Sequence, residues 1–133
     1  MTPFKLRFLC AEQIEYEGEC VYVSIPVDDG TAGIMAHHSN MITVMSGGEL
    51  KIDTGKEVLN YAVTEGLVMV KNGEMTILAF SAEKPDEIDE KRAEEAAVRA
   101  RIKLKRQHSE LEYRLAQADL SRALNRLKVK QHR

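Results

Sequence analysis

Residues 86–130 contain neither glycine nor proline. This constrains the fold more than any other feature, because those two residues are the ones a helix interior tolerates least. The run also divides the chain, since turn residues punctuate everything before it and Pro85 stands at the junction. Lys84, which precedes a proline, is biased away from helical backbone. Asp86 is placed to cap the segment that follows, with Asp89 three residues on as a capping-box partner. Ala93, Ala97, Ala100 and Leu104 then mark one helical stripe. Tyr113, Ala116, Leu120, Ala123, Leu124 and Leu127 mark a second. Between them, in "RQHSE", Ser109 is placed to cap a second helix. The expectation is two helices folded into an antiparallel hairpin. The first stripe is nearly all alanine, and at roughly 25 cal/mol per Å² so little buried area gains little. A hairpin built this way is a candidate mobile element.

The residues before Asp86 read as strands. "CVYVSIP" alternates, with Val21, Val23 and Ile25 on one face and Cys20, Tyr22 and Ser24 on the other. "DDG" at 28–30 is a turn, "ITVM" and "GELKID" are short strands, and "TGK" at 54–56 is the next turn. "LVMVK" and "EMTILAF" flank Asn72-Gly73, a strong hairpin signal because both central positions of such a turn need positive φ. Short strands at regular spacing suggest a sandwich or barrel. The fold class is therefore α+β: an N-terminal β-sandwich over residues 1–85, then a C-terminal antiparallel two-helix hairpin over 86–133.

Charge follows the same division. Residues 1–85 carry 6 Lys/Arg and 12 Asp/Glu, a net of −6, and residues 86–133 carry 13 and 9, a net of +4. The last 35 residues hold 11 basic and 3 acidic side chains, which favours an acidic partner: a protein surface, a nucleotide or a nucleic acid. No apolar run approaches 20 residues, so no direct membrane insertion is expected. "MTPFKLRFLCAEQ" lacks the features of a signal peptide, so the chain is expected to stay where it is made. Cys10 and Cys20 form no CxxC and read as buried free thiols.

The motifs of common chemistries are missing. Gly55-Lys56 is followed by Glu57 and so is not a phosphate loop. There is no GxGxxG and no GxSxG. His37 and His38 are adjacent, would point to opposite faces of a strand, and have no further ligand cluster, so no metal site is expected. No nucleophile, base and orienting acid can be assembled, and the chain is read as no enzyme in its own right. The basic runs "KLKR" and "RLKVKQHR" carry no nucleic-acid motif, and Tyr113 is the one aromatic nearby, so a solvated helix face is preferred over nucleic-acid binding. The arginines have more order. Arg92 and Arg99 are seven apart on one helix face, and Arg122 and Arg126 are four apart on another. Folded together, four guanidiniums could converge on phosphate oxygens. The plain alternative is that each is solvated or paired locally.

These residues carry a resemblance. "PVDDGTAGIMAHHSNMITVMSGGEL" from Pro26 to Leu50 is similar to the sandwich signature of the epsilon subunit of bacterial and chloroplast F-type ATP synthases, matching at Gly33, Ile34, His38, Thr43, Gly48, Glu49 and Leu50. "YAVTEGLVMVKNGEMTILAFSAE" looks like the strand pair that ends that sandwich, and "HSELEYRLAQADLSRALNRLKV" looks like the second C-terminal helix. The resemblance covers essentially the whole chain. It departs at Ala36, His37 and Asn40, where relatives usually have a Pro-Gly before the histidine and a Pro two after it, and at Glu65, where a Gly-Gly usually precedes the last strand pair.

The resemblance implies a non-catalytic subunit of the central rotor. Its sandwich would bind the gamma subunit and the c-ring. Its hairpin would fold on the sandwich in one state and, in another, extend along gamma to touch the alpha and beta subunits and block ATP hydrolysis. The location implied is peripheral, on the cytoplasmic face of the cell membrane. The motif [IL]-D-x-x-R-A, here Ile88-Asp89-Glu90-Lys91-Arg92-Ala93, marks in some members a regulatory ATP site on the folded hairpin. By the same resemblance Glu83, Arg99, Arg122 and Arg126 complete it. The arginines would share the phosphates, Ile88 and Ala93 would offer an apolar wall, and Asp89 would hold a polar edge or steady Arg92. No cofactor is required; ATP would be a signal. The competing expectation is a purely structural coupling subunit with a degenerate ATP site.

Overall fold

The computed structural model describes residues 1–11, 13–105 and 110–131, with the side chains of residues 110–112 outside the description. The chain divides into two compact units, Met1–Glu83 and Lys84–Arg133.

The first unit is a ten-stranded sandwich. Its strands are β1 (Phe4–Cys10), β2 (Gln13–Cys20), β3 (Tyr22–Val27), β4 (Gly30–Ile34), β5 (Met41–Met45), β6 (Gly48–Asp53), β7 (Val58–Val63), β8 (Gly66–Lys71), β9 (Glu74–Ala79) and β10 (Ala82–Glu83). One sheet runs β2-β1-β9-β8-β5 and the other β10-β7-β6-β3-β4. All pairings are antiparallel except β1 with β9, which are parallel. Period-two alternation builds the interior. Phe4, Leu6 and Phe8 of β1 are buried while Lys5 and Arg7 between them are exposed. Leu50 and Ile52 of β6 and Met75 and Ile77 of β9 enter the same core. There Phe8 and Tyr61 meet edge to face, with ring centroids 5.0 Å apart.

The turns follow backbone chemistry. Asn72 (φ 52°) and Gly73 (φ 79°) both take the left-handed conformation that the β8–β9 hairpin needs. Gly66 is required for a different reason. A Cβ there would lie 2.0 Å from the Leu78 carbonyl oxygen and 2.9 Å from the Ala79 Cα, and backbone at that distance cannot yield. His37 has φ 65°, the left-handed backbone that glycine adopts most readily. Asn40, in place of a proline, accepts a hydrogen bond at Oδ1 from the Asn72 N–H at 2.9 Å and ties two turns together.

Cys20 departs from the expected face. The chain bends at Val21, so Cys20 ends β2 rather than beginning β3, and it is fully buried beside Val23 and Ile25 in the core. Burial, with Asp53 as a smaller cause, pushes its thiol up to about 12. Cys10 is half-buried rather than buried, and both thiols are free.

The second unit opens with a 3-10 turn over Pro85–Glu87 and continues as α1 (Glu90–Lys105) and α2 (Glu110–Gln131). The cap differs from the expectation. Ile88 is extended (φ −84°, ψ 121°), so the turn closes on itself and no helix begins at Asp86. Glu87 accepts the Lys84 N–H at 3.2 Å and stabilises that turn. The α-helix starts one step later, where Asp89 Oδ1 accepts the Arg92 N–H at 3.1 Å, the N-cap bond to the third helical residue. The expected cap Ser109 and the turn around it lie outside the described residues. Lys130 Nζ donates to the Pro85 carbonyl oxygen at 2.9 Å, tying the end of α2 to the start of the unit, as an antiparallel pair requires. Ala93, Ala97 and Ala100 are buried as expected, with Leu104 half-buried. Among the described side chains of α2, Ala116, Ala123 and Val129 are buried and Leu120 and Leu127 half-buried, whereas Tyr113 and Leu124 of the expected stripe are exposed. The expected α2 stripe thus holds at Ala116, Leu120, Ala123 and Leu127 and fails at Tyr113 and Leu124.

Candidate functional site

The hairpin contains a groove of about 340 Å³, lined by Ala96, Arg99, Ala100 and Lys103 of α1 and by Asp119, Arg122, Ala123 and Arg126 of α2. The local sequence dictates it. Residues 96, 99, 100 and 103 share one face of α1, and 119, 122, 123 and 126 share one face of α2. The alanines keep the groove open between the helices, and the longer side chains rim it. Its volume lies within the range of about 300–1,000 Å³ usual for small-molecule sites.

Three of the four expected arginines, Arg99, Arg122 and Arg126, therefore meet in one groove. Arg92 is exposed and does not line it; its backbone N–H is the donor to the Asp89 cap. Asp89 is exposed, with one carboxylate oxygen engaged as that cap. Ile88 and Ala93 are buried. Glu83 lies in β10 of the other unit, paired in register with Ala62.

Two charged lining residues, Lys103 and Asp119, were not among the expected site residues. Lys103 adds a fourth cation, and Asp119 is the one acid among the described lining residues. Asp119 Oδ1 accepts from Arg122 Nη2, and its Oδ2 lies 3.9 Å from Lys103 Nζ on the opposite helix. The signal was present in spacing: Lys103 is four after Arg99, and Asp119 is three before Arg122. A cluster of guanidinium forks and an ammonium over a small apolar floor suits an anion with several oxygens, such as a polyphosphate. Among the described residues no group of three metal-ligating side chains is present, and no helix is long and apolar enough to cross a membrane.

The sandwich carries a second feature. The outer face of the β2-β1-β9-β8-β5 sheet is apolar at Ile42 and Val44 of β5, Leu67 and Met69 of β8, and Leu78 of β9. Ile42 faces Met69 in register, Val44 faces Leu67, and Leu67 faces Leu78, so these side chains form one patch. Ile42 is 74% exposed, and Phe80, just beyond β9, is 80% exposed. A contiguous apolar patch of this kind marks an interaction surface.

Comparisons with known proteins match both units. The family model described as the ATP synthase delta/epsilon chain beta-sandwich domain covers residues 3–85, and that of the delta/epsilon chain long alpha-helix domain covers residues 86–131. The ATP synthase epsilon chain of Desulforamulus reducens is 33% identical over 125 residues, which is 94% of this chain and 95% of that protein. The epsilon chain of Chloroflexus aggregans is 36% identical over 129 residues, 97% of this chain and 93% of that one. Among solved structures, a chain of the Euglena gracilis mitochondrial ATP synthase OSCP/F1/c-ring assembly superposes with a TM-score of 0.81 at 19% identity, over 98% of this chain and 80% of that chain. A chain of the Tetrahymena thermophila mitochondrial ATP synthase central stalk and c-ring does so with 0.73 at 14% identity, over 95% of each. At those identities the likeness is one of fold.

Proposed function

The chain belongs to the epsilon-chain family of F-type ATP synthases and is a non-catalytic subunit, and from that premise we propose that it is a central-stalk regulator whose hairpin senses ATP. The sandwich docks on the gamma subunit and the c-ring, and the exposed apolar face of β5, β8 and β9 supports that role. The hairpin inhibits ATP hydrolysis when it opens toward the alpha and beta subunits. ATP held in the folded hairpin opposes the opening. The subunit so assembled is peripheral, on the cytoplasmic face of the membrane.

The observation that carries the reading is the groove that gathers Arg99, Arg122 and Arg126 beside Lys103. Phosphate oxygens of ATP are the natural occupants of such a cluster. Linkage supplies the mechanism, because a ligand shifts a conformational equilibrium only by binding one state better than the other. The groove needs both helices side by side, so its ligand favours the folded hairpin. At free ATP a hundredfold above its dissociation constant the shift is about 2.7 kcal/mol. A hairpin held together by alanines is weak enough to respond. Arg92 and Asp89 flank the α1 N-terminus and act through placement of that end.

A purely structural coupling subunit with a degenerate ATP site is the second reading, and the position of Arg92 outside the groove favours it. Calorimetric titration of the whole chain with ATP separates the two. The regulatory reading expects saturable heat at or below millimolar ATP, and a loss of about tenfold or more when Arg126→Ala removes one fork. A folded chain that gives no heat leaves the structural reading.

A further inference from the structure

We infer that Asp119 is a built-in competitor for nucleotide phosphate in the hairpin groove and sets the ATP concentration at which the groove fills. The inference rests on the ATP reading above and concerns a residue outside the ATP motif.

One carboxylate serves both helices. Its Oδ1 takes a guanidinium donor of Arg122 within α2, and its Oδ2 faces Lys103 of α1 at 3.9 Å. A carboxylate and a phosphate present the same chemistry to these cations, a pair of anionic oxygens suited to the guanidinium fork. An incoming phosphate must displace Asp119 from Arg122 or settle beside it. The first loses the existing contact, and the second sets two anions together, which Coulomb repulsion disfavours. The contact is also of a kind that a ligand can displace. The side chains of Asp119, Arg122 and Lys103 are 43%, 58% and 57% exposed, so solvent screens each pair and neither is a rigid structural bridge.

A rival role predicts the opposite sign. If Asp119 instead steadies Arg122 in the orientation that grips phosphate, removing the carboxylate weakens ATP binding. The test is calorimetric titration of the full chain with ATP for the wild type, Asp119→Asn and Asp119→Glu. Asparagine keeps the size and removes the charge on an exposed helix face. Competition expects Asp119→Asn to tighten ATP about three- to tenfold, the combined size of one lost exposed pair and one relieved repulsion. The gain shrinks as salt is raised, and adenosine, without phosphate, shows none. Asp119→Glu keeps the charge and stays within about twofold of wild type. Binding of ATP by the wild type with no tightening in Asp119→Asn overturns the inference alone, as does equal tightening by Asp119→Glu. If neither wild type nor Asp119→Asn binds ATP, the ATP reading falls and the inference falls with it.

Discussion

The sandwich and the hairpin bury different things. In the sandwich, Phe8, Tyr61, Leu6, Ile25, Leu50 and Ile77 are almost wholly removed from water. In the hairpin, five of the buried side chains are alanine: Ala93, Ala97, Ala100, Ala116 and Ala123. Burying a large apolar side chain is worth about 1.5–3 kcal/mol, whereas a methyl is worth about 0.8 kcal/mol. Two long helices can therefore pack closely yet gain little from doing so. The first unit is a platform whose form does not depend on a ligand. If the second binds ATP as proposed, a small binding energy is enough to decide its state. The charged residues follow the same logic, since the groove cations that oppose helix pairing are the groups an anion would neutralise.

The largest expected effect tests the platform. Phe8→Ala removes a fully buried ring and its edge-to-face partner contact with Tyr61. A cost of about 3–5 kcal/mol is expected in denaturant unfolding followed by the tyrosine signal. That is a large part of a domain's usual margin of about 5–15 kcal/mol. No truncation of a buried alanine in the hairpin can match it, because only a methyl is there to lose. A Phe8→Ala chain as stable as wild type would break the contrast.

A smaller effect is expected at Gly66. Its missing Cβ leaves room for the Leu78 carbonyl oxygen and the Ala79 Cα across the β8–β9 pair. Gly66→Ala forces those strands apart and is expected to cost about 1–3 kcal/mol of sandwich stability. The helical circular dichroism signal should not change. Loss of that signal together with the sandwich would mean that the two units do not stand independently.

Residues differ in how much of this the sequence made legible. The Asn72-Gly73 hairpin and the alternation of Val23 and Ile25 were readable, because local backbone preference and period-two patterning act within a few residues. The α1 stripe was readable for the same reason. The parallel pairing of β1 with β9 was not, because it joins the beginning of the sandwich to its end and no local pattern encodes a partner that far away. Cys20 was misplaced by one bend in the chain, since a single irregular residue flips every side chain that follows. The convergence of Arg99 with Arg122 and Arg126 could be proposed from helical spacing, yet the face each helix turns to the other is a tertiary choice. Lys103 and Asp119 lay on those same faces and were passed over because the motif did not include them. Asp86 looked like a cap because proline preceded it; the extended backbone at Ile88 moved the cap to Asp89.

That shift gives the smallest effect and the finest test of the comparison. Asp89 has two assignable roles: its carboxylate caps α1 through the Arg92 N–H, and it belongs to the motif of the proposed ATP site. Asp89→Ala removes both and is expected to cost about 1 kcal/mol of hairpin stability. The loss should appear as earlier melting of the helical signal, with the sandwich transition unmoved. Serine also caps well but carries no charge. Asp89→Ser should therefore recover most of the helix stability, and ATP titration of the same variant divides the roles. If affinity recovers along with the helix, Asp89 serves the nucleotide by fixing the α1 N-terminus and thereby the placement of Arg92. If the helix recovers and the affinity does not, the carboxylate itself is needed. In a unit whose buried side chains are mostly alanine, one capping hydrogen bond is comparable to the packing of one such methyl, so a change this small should be measurable there and invisible in the sandwich.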